Sequence, residues 1–170
     1  MEASFMAKHS SGYTASQLGL HWLIVLLVFF QLIFGEDMGA YNRALRAGED
    51  VAPLLTGYYL HLYVGIAIFV LAFVRLALRL TRGVPAPVPG PALQVKAGEA
   101  LHYIFYLMLF LVPITGLLAQ FVDMRTFGEI HELNKPAFVL IIIIHAGAAL
   151  YHHFVLKDST LRRMMVPGSM

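Results

Sequence analysis

Four stretches of this 170-residue chain contain no Asp, Glu, Lys or Arg: residues 9–35, 51–74, 100–122 and 136–156. They are 27, 24, 23 and 21 residues long. A helix needs about 20 predominantly apolar residues to cross the hydrocarbon core of a bilayer. In hydrocarbon each backbone N–H and C=O must find its partner within the structure, which makes the helix the natural form of such a run. Four runs leave little chain for anything else, so the sequence predicts a single all-α membrane domain over residues 1–170. Helices are expected near 18–35, 58–80, 100–122 and 133–156, packed as a four-helix bundle. Only 13% of residues are charged, against about 25% in a soluble domain, which excludes a disordered chain and most soluble enzymes. The absence of cysteine excludes a disulfide-stapled secreted domain. A net charge of +2 leaves no basic footprint for nucleic acid.

Basic residues set the orientation of the spans. Lys8 lies in the N-terminal tail, Arg43 and Arg46 between helices one and two, and Arg75, Arg79, Arg82 and Lys96 in or beside the next link. Arg125 and Lys135 lie between helices three and four, and Lys157, Arg162 and Arg163 follow the last span. The side holding both termini collects eight of these twelve and is expected to be cytoplasmic. The first run reads as a retained helix: Leu18–Phe34 exceeds the roughly 7–15-residue apolar core of a signal peptide, and only Lys8 precedes it. The middle link has Pro85, Pro87, Pro89 and Pro91, which block helix and favour an extended connector.

Eight histidines occur, and seven of them lie in or beside the apolar runs: His21, His61, His102, His131, His145, His152 and His153. One histidine near a helix end can be an interfacial group; seven point to a function inside the bundle, because ionisable groups there are costly. With the orientation above, His21 lies toward the cytoplasm and His61 toward the outside. His131 and His145 are fourteen residues apart, about 21 Å along a helix and within about 40° of one face. They match the depths of His61 and His21, giving two level pairs. Two imidazoles facing each other can hold one haem iron from both sides. Gly65 and the run Ala146-Gly147-Ala148-Ala149 offer room for a flat ring. With no C-x-x-C-H, haem would be bound without a covalent link. Arg79 lies five turns after His61, and Arg75 one turn short of it; both are candidate partners of haem carboxylates as well as ordinary interfacial cations. His102 competes with His145 as partner of His21, or serves as a neighbour of the haem or a quinone. His152 lies about 10 Å beyond His145 and within about 20° of its face, which makes it the candidate for proton delivery to a quinone. Asp158, Lys157 and Arg79 are candidates to complete that polar pocket.

The stretches Leu20-His21-Trp22-Leu23, His61-Leu62-Tyr63-Val64-Gly65, Val74-Arg75-Leu76-Ala77-Leu78-Arg79-Leu80, Ile130-His131-Glu132 and His145 through His153, with the tail Lys157–Met165, resemble the bacterial cytochrome b561 family. The resemblance spans about residues 18–165. It implies four transmembrane helices in a bacterial inner membrane and two non-covalent b-type haems. His21 and His145 would bind the inner iron, and His61 and His131 the outer. It also implies exchange of electrons with a membrane quinone. Within that family it implies oxidation of superoxide outside, coupled to reduction of ubiquinone.

Two features depart from that pattern. Pro136 is expected to remove a hydrogen bond near the start of the fourth helix. The outer links are net acidic, with Glu36, Asp37, Glu49 and Asp50 in the first, so an anionic donor would need a local positive mouth made by Arg43, Arg46, Arg125 or Lys135. The donor is therefore either a small diffusible species such as superoxide or a redox protein. A cytochrome subunit of a larger quinol-linked dehydrogenase and a His-lined proton or metal transporter are the alternative readings. No G-x-G-x-x-G or P-loop motif is present for a nucleotide.

Overall fold

The computed structural model describes residues 12–168, so Lys8 and His9 lie outside the described residues. These residues form six α-helices, with no β-strand among them. α1 (Ala15–Phe34) opens on a capping box, in which the Thr14 hydroxyl accepts from the Gln17 N–H and Gln17 Oε1 accepts from the Thr14 N–H at 2.9 Å. α2 (Glu36–Ala47) follows after Gly35 alone. It stops at Gly48, whose φ of 70° suits glycine and whose N–H caps the carbonyls of Ala44 and Leu45. A 3₁₀ turn (Ala52–Leu54) leads into α3 (Leu55–Arg82). The proline arm separates α3 from α4 (Ala92–Phe121), and α5 (Met124–Tyr151) begins after Asp123, whose carboxylate accepts from the Arg125 N–H at 3.0 Å. A single π-helical turn (His152–Leu156) and the short α6 (Thr160–Arg163) close the chain.

α1, α3, α4 and α5 are each long and apolar enough to span a membrane. Their outward faces leave Leu26, Ile33, Leu80, Leu107, Leu140 and Ile143 exposed, as lipid-facing positions should be. In lipid, helices are held together by close packing rather than by escape from water. That packing centres on Ile24 and Val28 of α1, Ile68 and Ala72 of α3, Met108 and Leu109 of α4, and Phe138 of α5. On every helix these positions fall between histidines or other polar residues toward the two ends, so an apolar plug divides the bundle into two polar levels. The Gly168 N–H donates to the Tyr13 carbonyl at 3.0 Å, so both ends of the described chain meet at one end of the bundle. That end is further laced by Gln17 Nε2 to the Gly83 carbonyl (3.0 Å), Trp22 Nε1 to the Met164 carbonyl (2.8 Å) and Arg163 Nη1 to the Ala86 carbonyl (2.7 Å).

The four spans and the proline connector stand where the sequence placed them, but the helices differ at their ends. α3 begins at Leu55 rather than 58, α4 at Ala92 rather than 100, and α5 at Met124 rather than 133, while the fourth span ends at Leu156 as expected. Hydropathy locates the part of a helix inside lipid, whereas charged turns such as Lys96–Glu99 and Arg125–Lys135 continue the same helix into the polar interface. α5 runs through Pro136 without interruption. The surface helix α2 is an element the apolar runs did not reveal.

Ala72 is fully buried at the centre of the plug. Ala72→Leu is expected to overpack the site and cost about 1–3 kcal/mol, read as a lowered midpoint of thermal unfolding in detergent.

Candidate functional site

At the end of the bundle away from Tyr13 and Gly168, the α3 and α5 histidines meet. The rings of His61 and His131 stand 6.0 Å apart, centre to centre, with their planes at 87°. Metal–imidazole bonds of about 2.0–2.1 Å, added to the ~1.1 Å from ring nitrogen to ring centre, put two opposed imidazoles on one metal about 6.2–6.4 Å apart. The observed spacing therefore suits a shared metal. His131 is also held in the right tautomer. Its Nδ1 lies 2.9 Å from the Val112 carbonyl, which can only accept, so Nδ1 carries the proton and Nε2 keeps its lone pair. Thr115, which bonds the Leu111 and Val112 carbonyls, supports the same ring from 3.4 Å.

Both histidines line a cavity of about 500 Å³, within the roughly 300–1,000 Å³ range of cofactor pockets. Small residues make this space. A Cβ on Gly116 would stand 3.0 Å from His131 Cε1, and one on Gly35 would stand 3.5 Å from His61 Cε1 and Nδ1. Glu36, Arg43, Glu132 and Lys135 supply the charged part of the wall, with Lys135 Nζ 3.8 Å from Glu36 Oε1. Three polar atoms on this lining are buried without a partner: His61 Nδ1, Gln31 Oε1 and Asn42 Oδ1. Orphaned buried groups of this kind call for an explanation.

At the opposite end, His21 of α1 faces Arg75, His145 and His102. The His102 and His145 rings lie 5.7 Å apart, and Phe105 packs edge-on against His145 at 4.9 Å. Arg75 hydrogen-bonds Tyr106, and the Arg79 guanidinium sits 5.8 Å over the same Tyr106 ring. Tyr13 joins this cluster from the chain's start. Burial pushes its phenol above the usual range, against the pull of Arg79 and Arg75, so it stays a neutral donor.

Beyond the inner level, His152 is half-buried and His153 exposed against Phe154. His152 Nδ1 lies 2.5 Å from Asp158 Oδ2, while Asp158 Oδ1 accepts from the Thr160 N–H at 2.8 Å. The backbone turn that allows this reversal puts Lys157 at φ 53°. Lys157 itself is exposed, and Arg79 is occupied at Tyr106, so of the three candidate partners for His152 it is Asp158 that makes direct contact.

The chain is similar to known proteins along most of its length. A family model described as prokaryotic cytochrome b561 matches residues 12–167. The chain belongs to the prokaryotic cytochrome b561 family. It is similar to cytochrome b562 of Cereibacter sphaeroides, with 42% identity covering 92% of this chain and 96% of the relative. It is similar as well to the probable superoxide oxidase CybB of Yersinia pestis, at 31% identity over 90% of this chain and 95% of the relative. Cytochrome b561 homolog 1 of Escherichia coli K12 is 28% identical over 90% of this chain and 96% of the relative. As a cytochrome b561, the chain is a multi-pass bacterial membrane protein of electron transfer, in a family built around b-type haem.

The sequence brought the seven histidines into view. It missed Gln31, Val112 and Thr115 around the outer pair and Tyr13 and Tyr106 around Arg75 and Arg79. Gln31 did leave a trace: it is an amide inside an apolar run, at the depth of His61.

Asp158 carries a testable role in docking the tail. Burial raises its carboxyl, but hydrogen bonds from Thr160 and His152 outweigh this and hold it below its usual value. A depressed carboxylate stabilises the folded state above its unfolded pKa and loses that contribution as pH falls through the folded one. Asp158→Ala is expected to speed amide exchange at Thr160 at neutral pH, and in the wild type the same amide should lose protection only as pH drops below about 4.

Proposed function

We propose that this cytochrome b561 carries two b-type haems and passes electrons from an outer donor to ubiquinone at the cytoplasmic side of the bacterial inner membrane. His61 and His131 hold the outer haem; His21 and His145 hold the inner one, with His102, Arg75 and Arg79 as its neighbours. Both termini are cytoplasmic, which places Arg75, Arg79, Arg82, Lys96, Lys157, Arg162 and Arg163 on that side, as the positive-inside rule requires. The observation that carries this reading is the 6.0 Å spacing of His61 and His131 across one cavity; at the other end the rings in contact are His102 and His145, 5.7 Å apart, with His21 in the same cluster.

When bound, haem supplies reversible one-electron exchange between ferrous and ferric iron. The protein's own residues determine what that exchange can serve. With two imidazoles given to each haem, a donor would give up its electron without binding the metal. The apolar plug keeps the two levels apart and dry. At the inner end, Asp158 fixes His152 with its proton on Nδ1, leaving Nε2 as the ring nitrogen free to bind and release a proton. Reduction of one ubiquinone takes two electrons and two protons. Two superoxide ions supply the electrons and leave as two molecules of dioxygen, and His152 relays protons from the cytoplasm.

Superoxide as donor is supported by the name of the Yersinia pestis relative. The acidic first outer link favours a second reading, in which a basic redox protein docks there. Ubiquinone reduction driven by a superoxide-generating system distinguishes the two, since the second reading expects none without the protein.

Pyridine haemochrome analysis should give two haems per chain. His61→Ala and His131→Ala should disturb one set of low-spin signals, and His21→Ala and His145→Ala the other; grouping of His102→Ala with His21→Ala, and not His145→Ala, would reassign the inner ligand. For the quinone site, His152→Ala should keep both haems yet lower steady-state ubiquinone reduction by about 10²-fold. Unchanged turnover would move the quinone away from His152.

A further inference from the structure

His131 and His61 stand opposite each other but are not equally supported. The Nδ1 of His131 is bonded to a backbone carbonyl, that of Val112. The Nδ1 of His61 is buried and has no partner. The nearest complement is on α1. Gln31 Nε2 donates to the His61 backbone carbonyl at 2.7 Å, so this amide is already anchored on His61, while its other arm, Oε1, is also buried and unpartnered.

We propose that Gln31 is the positioning residue of His61: its side-chain oxygen accepts the His61 Nδ1–H when Nε2 is on iron. An orphaned donor and an orphaned acceptor on two residues already in contact are each other's remedy. The last side-chain torsion of Gln31 is soft, so the amide can adjust toward His61 Nδ1. One glycine keeps the space for it. A Cβ on Gly65 would lie 3.2 Å from Gln31 Nε2. The imidazole also needs this contact chemically, because a metal-bound histidine is oriented and made more basic by an acceptor on its second nitrogen. On the outer iron one ligand is then governed by the main chain and the other by a replaceable side chain. A stronger acceptor on His61 makes the imidazole a better electron donor and favours ferric iron, lowering the potential of that haem alone.

The inference rests on the two-haem reading, and the experiment separates the two. Full-length protein purified in detergent is titrated potentiometrically and examined by EPR, the outer-haem signals being those lost in His131→Ala. Gln31→Leu, which fills similar space without an acceptor, should retain two haems, raise the outer midpoint potential and shift its low-spin EPR signal, with the inner haem unmoved. Gln31→Glu, a stronger acceptor, should move the outer potential down. An outer potential and EPR signal in Gln31→Leu identical to wild type, with two haems bound, would overturn the proposal. If Gln31→Leu loses the outer haem, Gln31→Glu decides: a lowered outer potential supports the role, and an unchanged one rejects it. One haem or none in the wild-type protein would instead reject the two-haem reading.

Discussion

Imidazole groups set inside a lipid-facing helix bundle dominate the design of this protein. Hydrocarbon offers such groups no water, so each ring nitrogen must be bonded to protein or given to a ligand. His131 shows one half of that solution, with Nδ1 on the Val112 carbonyl and Nε2 aimed away from it. His61 and Gln31 show the half that protein alone leaves unfinished. Much else follows from the need to seat these rings. Gly116 yields to His131, and α2 folds directly off α1 after a single residue, so that its polar face borders the cavity.

The spans were legible because the bilayer imposes a length and forbids charge, and both are visible in a bare sequence. The depth of each histidine was legible for the same reason, since a helix converts residue number into height. The meeting of His61 and His131 from α3 and α5 is the outcome of that conversion. Side-to-side neighbours were not legible. Gln31 is one amide in a long apolar run, and it acquires meaning only when α1 is packed on α3. Tyr13 and Tyr106 read as ordinary aromatics until the fold gathers them around Arg75 and Arg79. α2 escaped because its twelve residues include Glu36, Asp37, Arg43 and Arg46, a surface composition with no apolar run to mark it. The helix ends were misplaced because the last apolar residue marks the edge of the lipid, not the end of the hydrogen-bond ladder.

The two ends of the molecule are built differently. The end holding His61 and His131 is an open cavity walled by charged residues of both signs. The opposite end is tied shut by segments near the two ends of the described chain: Met164 on Trp22, Gly168 on Tyr13, Arg163 on the proline arm at Ala86, and Asp158 on His152. The segment after α5 thus contributes a carboxylate and a frame to that end. Trimming it would alter more than a surface.

The plug of Ile24, Val28, Ile68, Ala72, Met108, Leu109 and Phe138 contains no group able to carry a proton. On the proposed function, an electron travelling inward through this layer goes unaccompanied, and the protons that complete the quinol are drawn from the side it arrives on. Each turnover then moves net negative charge toward the negative side of an energised membrane, against about 2.3 kcal/mol per charge for every 100 mV. The bundle would behave as an insulated wire whose current is opposed by the cell's own voltage. The donor's reducing strength, less that electrical load, would set how far the reaction runs.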